Sequence, residues 1–196
     1  MIAGRRCEPP RPRAWRLVLC VLVFVFAPLS VLRAQSASQM NAAEAQVQAA
    51  YVYKFIGFVE WPQEVFATPD QALIIGVLGA DDIAEELEGL LSARKTERRP
   101  LSVRRFGHDE TIAAHVLVVG TLDRPVLKRV LDQVRGTPVL VVSRDRLADA
   151  PEVMINFITL KQRVRFEVAL APVTRSRLRL SALMLSVAHK VTGDAP

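Results

Sequence analysis

The stretch "HVLVVGTLDRPVLKRVLDQVRGTPVLVVS", residues 115–143, decides the fold. It opens and closes on short runs of β-branched and aliphatic residues, His115–Gly120 and Thr137–Ser143. Between them lies a segment with helical spacing from about Pro125 to Arg135, closed by Gly136. Pro suits the first turn of a helix, where its missing N–H is not needed, and Gly suits the position after the last turn. Two wholly apolar strands joined by one helix make a parallel β-α-β unit, buried on both faces.

Working outward, "ALIIGVLG" (72–79) is another β-branched run. "DDIAEELEGLLSAR" (81–94) follows as a helix, with acids in its first turn and Arg94 in its last, as the helix dipole prefers. "LSVRRF" (101–106) is a further strand. "VMINFI" and "RVRFEV", joined by "TLKQ", form a hairpin, and a final helix is expected from about Val173 to Val191. The fold class is a single α/β domain: a largely parallel sheet flanked by helices, with a C-terminal β-hairpin.

Upstream, "YVYKFIGFVEWP" (51–62) gathers Tyr51, Tyr53, Phe55, Phe58 and Trp61 at the end of a helix expected from Gln39 to Trp61. Val47, Tyr51, Phe55 and Phe58 fall on one side, and Val52, Ile56 and Val59 on an adjoining one. Two adjoining apolar faces imply burial against the sheet. Trp61, beside Glu60 and Pro62, is placed at the edge, where it serves an interface or caps the core.

The first 34 residues read as an export signal. Arg5, Arg6, Arg11, Arg13 and Arg16 precede the apolar run Leu17–Leu32, and Ala34 is a small-residue cleavage position. The run is shorter than the about 20 residues a spanning helix needs and is broken by Pro28, so cleavage is favoured over a retained anchor. Six of the 26 basic residues and one of the 20 acidic ones precede residue 35, which leaves 20 against 19, a net of +1 over 162 residues. The basic character of the whole chain is therefore no argument for nucleic acid. Cys7 and Cys20 also precede the cut, so the exported chain has no disulfide, thiol nucleophile or thiolate ligand.

Few residues carry chemistry. Asp81 and Asp82, Thr121 and Asp123, and Ser143 and Asp145 follow strands, where they suit helix caps and turns. Gly76 and Gly79 do not form GxGxxG, and neither a phosphate loop nor a nucleophile elbow occurs. His108, His115 and His189 share no ligand spacing. No catalytic residue, metal site or cofactor is predicted, and the protein is read as a non-enzyme. "RKTERR" (94–99), Arg104–Arg105 and "RSRLR" (175–179) read as solvated basic faces. In "RVRFEV", alternation sends Val164, Phe166 and Val168 to one face and Arg163, Arg165 and Glu167 to the other. A polar strand face of this kind meets solvent, an internal ion pair or a partner.

The aromatic run, "LIIGVLG", "HVLVVG", "TPVLVVS" and "MINFITLKQRVRFEVAL" ahead of "LRLSALMLSVA" together resemble the YfiR family of periplasmic proteins, in order over nearly all of residues 35–196. The resemblance implies a periplasmic α/β domain that forms a homodimer and binds the periplasmic part of an inner-membrane diguanylate cyclase or related sensor, repressing it and lowering cyclic di-GMP and biofilm formation. It places Ile155, Asn156 and Phe157 on the family's Ile-Asn-Phe, Arg165, Phe166 and Glu167 on its Arg-Phe-Glu, and Phe55, Phe58, Glu60, Trp61 and Pro62 on its aromatic helix end. Phe157, Arg165, Glu167 and Trp61 are thus the candidate partner-binding residues. Ala114 stands where many members have Cys, and Glu152-Val153 where Gly-Gly is usual, so a disulfide switch is excluded here. A second class of function, a periplasmic small-ligand binding domain, would place a crevice above Gly79, Gly120 and Ser143.

Overall fold

The computed structural model describes residues 39–68, 70–93, 99–147 and 150–193. The signal segment, Cys7, Cys20, and the Arg94 expected in a helix end with most of "RKTERR" lie outside them. The compact unit Ala42–Pro196 is a seven-stranded sheet with helices on its faces.

Helix α1 spans residues 39–56. It is followed by the two-residue strand β1 (Val59–Glu60), a 3-10 turn at Gln63–Val65, β2 (Leu73–Leu78), α2 (Asp81–Ser92) and β3 (Leu101–Arg105). The expected β-α-β unit is β4 (Val116–Val119), α3 (Arg124–Val134) and β5 (Leu140–Ser143), with β4 and β5 parallel neighbours. All four residues of β4 and of β5 are buried, as strands covered on both faces must be. The hairpin β6 (Ile155–Leu160) and β7 (Arg163–Ala169) pairs antiparallel. It turns on Lys161 and Gln162 alone, with φ of 49° and 60°, the left-handed pair that a two-residue hairpin loop requires. The sheet order is β3-β2-β4-β5-β6-β7-β9, with β9 at Lys190–Thr192.

Two expectations are corrected. The aromatic helix ends at Ile56 rather than Trp61: the Gly57 and Phe58 amides close a last turn on Lys54 and Phe55, and Val59–Glu60 becomes a strand. The single last helix from Val173 to Val191 is absent. In its place are α4 (Leu170–Arg175), β8 (Arg179–Leu180), α5 (Ala182–Val187) and β9. The break falls at Arg177, whose φ of 57° is left-handed, after which β8 pairs antiparallel with β1. The Ser181 hydroxyl then accepts from the Met184 amide at 3.2 Å and caps α5.

The sheet carries an apolar core on each face. On one, Val52 and Phe55 of α1 and Ile83 and Leu87 of α2 pack on Ile75, Val118, Phe157 and Phe166. On the other, Val130, Leu131 and Val134 of α3 cover Leu117, Val119 and Val141. Where β2 and β4 end, a Cβ on Gly120 would lie 1.8 Å from the Gly79 carbonyl oxygen, so the two turns meet backbone to backbone.

Candidate functional site

Alternation along α1 and the β6–β7 ladder builds an aromatic cluster. Phe55 lies edge-on to Phe166 at 4.9 Å between ring centroids and stacks on Phe157 at 6.0 Å. Tyr51 meets Phe166 edge-on at 5.5 Å. Offset and edge-to-face pairs of this kind add to the gain from burial alone. One side of the cluster opens into a groove of about 990 Å³. Tyr51, Tyr53, Lys54, Phe55, Ile56 and Phe58 line it from the end of α1, Trp61 and Phe66 from the segment after β1, and Arg165 and Phe166 from β7. Leu183, Met184 and Val187 line it from α5, and Leu73, Arg99 and Leu101 from the start of the sheet.

The lining is apolar with a cationic fringe. Lys54, Arg99 and Arg165 are its charged members, and no carboxylate is among them. Leu183 and Val187 are 62% and 60% exposed, unusual for apolar residues of a helix. The indole N–H of Trp61 is buried without a hydrogen-bond partner among the described residues. A donor left so is costly unless a ligand or water takes it.

A stack supports this end of the groove. Phe66 lies against Trp61 at 6.4 Å and stacks on His115 at 4.9 Å with an interplanar angle of 12°. The Arg99 guanidinium sits 3.8 Å from the Phe66 centroid and donates to the Gln71 carbonyl at 2.6 Å. His115 accepts the Ile74 amide on Nδ1 at 3.0 Å, which requires that nitrogen to be unprotonated. Burial, and secondarily the Arg99 charge, lower its pKa from the ordinary 6.5.

The four predicted partner-binding residues separate. Trp61 and Arg165 line the groove. Phe157 is fully buried inside the aromatic cluster, because it pairs with Phe166 across the ladder and shares its inward face. It supports the groove from beneath and is not itself on the surface. Glu167 leaves the opposite face of β7 and is ion-paired with Arg146, which leaves its side chain 14% exposed. The hydrogen bond from Arg146 lowers the Glu167 pKa, against opposing desolvation. Sequence reasoning missed Lys54, Phe66, Arg99, Leu183 and Val187. The one available signal was density: "ALMLSV" holds more apolar residues than a six-residue helix can bury on one face.

At the crevice posited above Gly79, Gly120 and Ser143, the turns after the strands pack closely on one another. Gly79 and Gly120 are in backbone contact, and the Ser143 hydroxyl donates to the Asp145 carbonyl at 2.6 Å. Arg144 grips Asp82 through two bonds of 2.6 Å, while Gln48 donates to the Arg144 carbonyl at 3.1 Å. Asp82 is therefore an ion-pair partner more than a cap. Desolvation would raise its pKa, but the Arg144 hydrogen bonds and charge outweigh that and lower it. Among the described residues no group of three or more His, Cys, Asp or Glu is placed to hold a metal, and no helix is long and apolar enough to cross a membrane.

Fold and groove together define an α/β domain with an apolar cleft whose cationic fringe includes Lys54 and Arg165, neither in an ion pair among the described residues. Its family follows from the sequence profile that spans the same unit: the chain belongs to the YfiR/HmsC-like family, matched over residues 45–189. No curated protein matches the chain.

Proposed function

We propose that this chain is a periplasmic, non-enzymatic regulator that binds the periplasmic part of an inner-membrane diguanylate cyclase, or a related sensor, and holds it inactive. Membership of the YfiR/HmsC-like family supports the reading. The observation that carries it is the groove: Leu183 and Val187 present exposed apolar surface beside an unpartnered Trp61 N–H, with Lys54 and Arg165 at hand. Apolar anchors with Trp and Arg at hand are the composition of a protein-binding surface. Repression lowers cyclic di-GMP and disfavours biofilm. The N-terminal 34 residues act as the export signal, and the exported chain forms a homodimer, which sedimentation velocity reads directly.

The test is capture of membrane partners from detergent-solubilised inner membrane by the tagged chain, with Leu183→Asp and Glu167→Lys beside it. Recovery of a GGDEF-containing membrane protein by the wild type and by Glu167→Lys, with loss in Leu183→Asp, is the expected result. Loss in Glu167→Lys alone would move the surface to the opposite face of β7, and recovery of no such protein by any chain contradicts the reading.

A further inference from the structure

The ladder between β6 and β7 runs to Arg163, whereas β9 covers the outer edge of β7 only from Glu167 to Ala169. In an antiparallel ladder, alternate residues direct their backbone groups to opposite neighbours. The Ala169 amide donates inward to Met154, while the Phe166 carbonyl accepts outward from His189. By the same alternation, the N–H and C=O of Val164 and the N–H of Phe166 face outward, before the point where β9 begins. An edge left open in this way among the described residues is a template for another strand.

The edge adjoins the groove, since Arg165 and Phe166 belong to both. It is also strongly cationic. Lys161, Arg163 and Arg165 lie along it, with Lys54 in the groove beside it, and among the described residues none of the four is in an ion pair. Several other cations are ion-paired: Arg104 with Glu110, Arg105 with Glu88, Arg129 with Asp109, Arg177 with Glu64. A second copy of this chain is a poor occupant, because edge-to-edge pairing would set Lys161, Arg163 and Arg165 against themselves.

We infer that the partner adds an extended strand to the free edge of β7, with carboxylates on the face shared by Arg163 and Arg165 and apolar side chains on the face of Phe166, entering the groove beside Leu183 and Val187. The inference rests on the reading of the groove as a partner surface and specifies how the partner is held.

The probe is a dye-labelled ten-residue peptide alternating Glu with Val and Leu, titrated with the full chain and read by fluorescence anisotropy. Its Lys-for-Glu counterpart and two versions N-methylated on one or the other set of alternate residues are run beside it. The acidic peptide binds, and the Lys peptide binds at least about tenfold more weakly. One N-methylated series loses about tenfold while the other is unchanged, since a single added strand has only one edge on β7. Val164→Pro removes an outward N–H while leaving the β6 ladder its bonds, and weakens the acidic peptide by a similar factor; if that variant fails to fold, the N-methylated peptides test the same bond on the wild type. Equal binding of acidic and Lys peptides, equal behaviour of the two N-methylated series, or competition by decanoate with no peptide binding would each overturn the inference. Membrane-cyclase capture that persists in a folded Val164→Pro would remove strand addition alone, whereas failure of capture by the wild type would remove the partner reading beneath it.

Discussion

Arg146 closes over Glu167, and the neighbouring Arg165, which leaves the same face of β7, has no such counter-ion among the described residues. One charge of the alternating "RVRFE" strand is thus satisfied within the fold, and the other is left for the surroundings. Glu167 reads as a residue that fixes the loop carrying Arg146 against the sheet. Its effects on function then pass through structure.

Glu167 has a lowered pKa in the folded chain, so its pairing stabilises above the ordinary glutamate value of 4.5 and that contribution is lost as pH falls below it. The thermal midpoint of Glu167→Gln is expected to lie below the wild type at pH 7, and the gap to narrow progressively as pH falls below 4.5. Parallel melting curves across that range would show the pair contributes nothing.

His115 is also held below its ordinary value, and the sign is the same: the unfolded chain takes up a proton below pH 6.5 that the folded chain resists. Protonation at Nδ1 would set a donor against the Ile74 amide. The wild-type midpoint should fall between pH 7 and pH 5. His115→Asn, whose side-chain oxygen can accept the same amide, should start lower for want of the Phe66 stack but vary less over that interval. Calorimetry at the two pH values checks this.

Phe55 is 2% exposed between Phe157 and Phe166. Phe55→Ala should cost about 3–5 kcal/mol in urea denaturation, the range for deleting a buried aromatic ring. A cost under about 1 kcal/mol would mean the cluster does not exist as described.

Gly120 and Gly89 make a matched pair. A Cβ at Gly120 meets a backbone oxygen, so Gly120→Ala should destabilise by about 1–3 kcal/mol or more. At Gly89, inside α2, nothing lies within 4 Å, and Gly89→Ala should stabilise by about 0.5–1 kcal/mol. The opposite signs are read from one denaturation series.

The legible parts of the fold are those written in local pattern. The apolar runs of β4 and β5 and the Pro125-to-Gly136 helix between them are bounded by their own residues, and alternation alone places Phe166 and Val168 inside. The C-terminal segment was not legible, because β8 is two residues long and exists by pairing with Val59–Glu60, more than a hundred positions upstream. The resemblance names Phe157 as a partner-binding residue, whereas its burial depends on ladder register, which a motif does not carry. That register turns on Lys161 and Gln162, which lack the Asn-Gly chemistry that marks a two-residue hairpin loop. Arg146 as the partner of Glu167, and the exposure of Leu183 and Val187, are tertiary facts with no local signature.

Repression of a diguanylate cyclase through the groove is read in intracellular cyclic di-GMP, in cells lacking the chain and complemented with wild type or with Leu183→Asp. Deletion is predicted to raise the nucleotide and wild type to restore it, while Leu183→Asp, exported and folded to the same level, fails to do so. An unchanged nucleotide level on deletion would rule out repression by this chain, and full restoration by Leu183→Asp would rule out the groove as its surface.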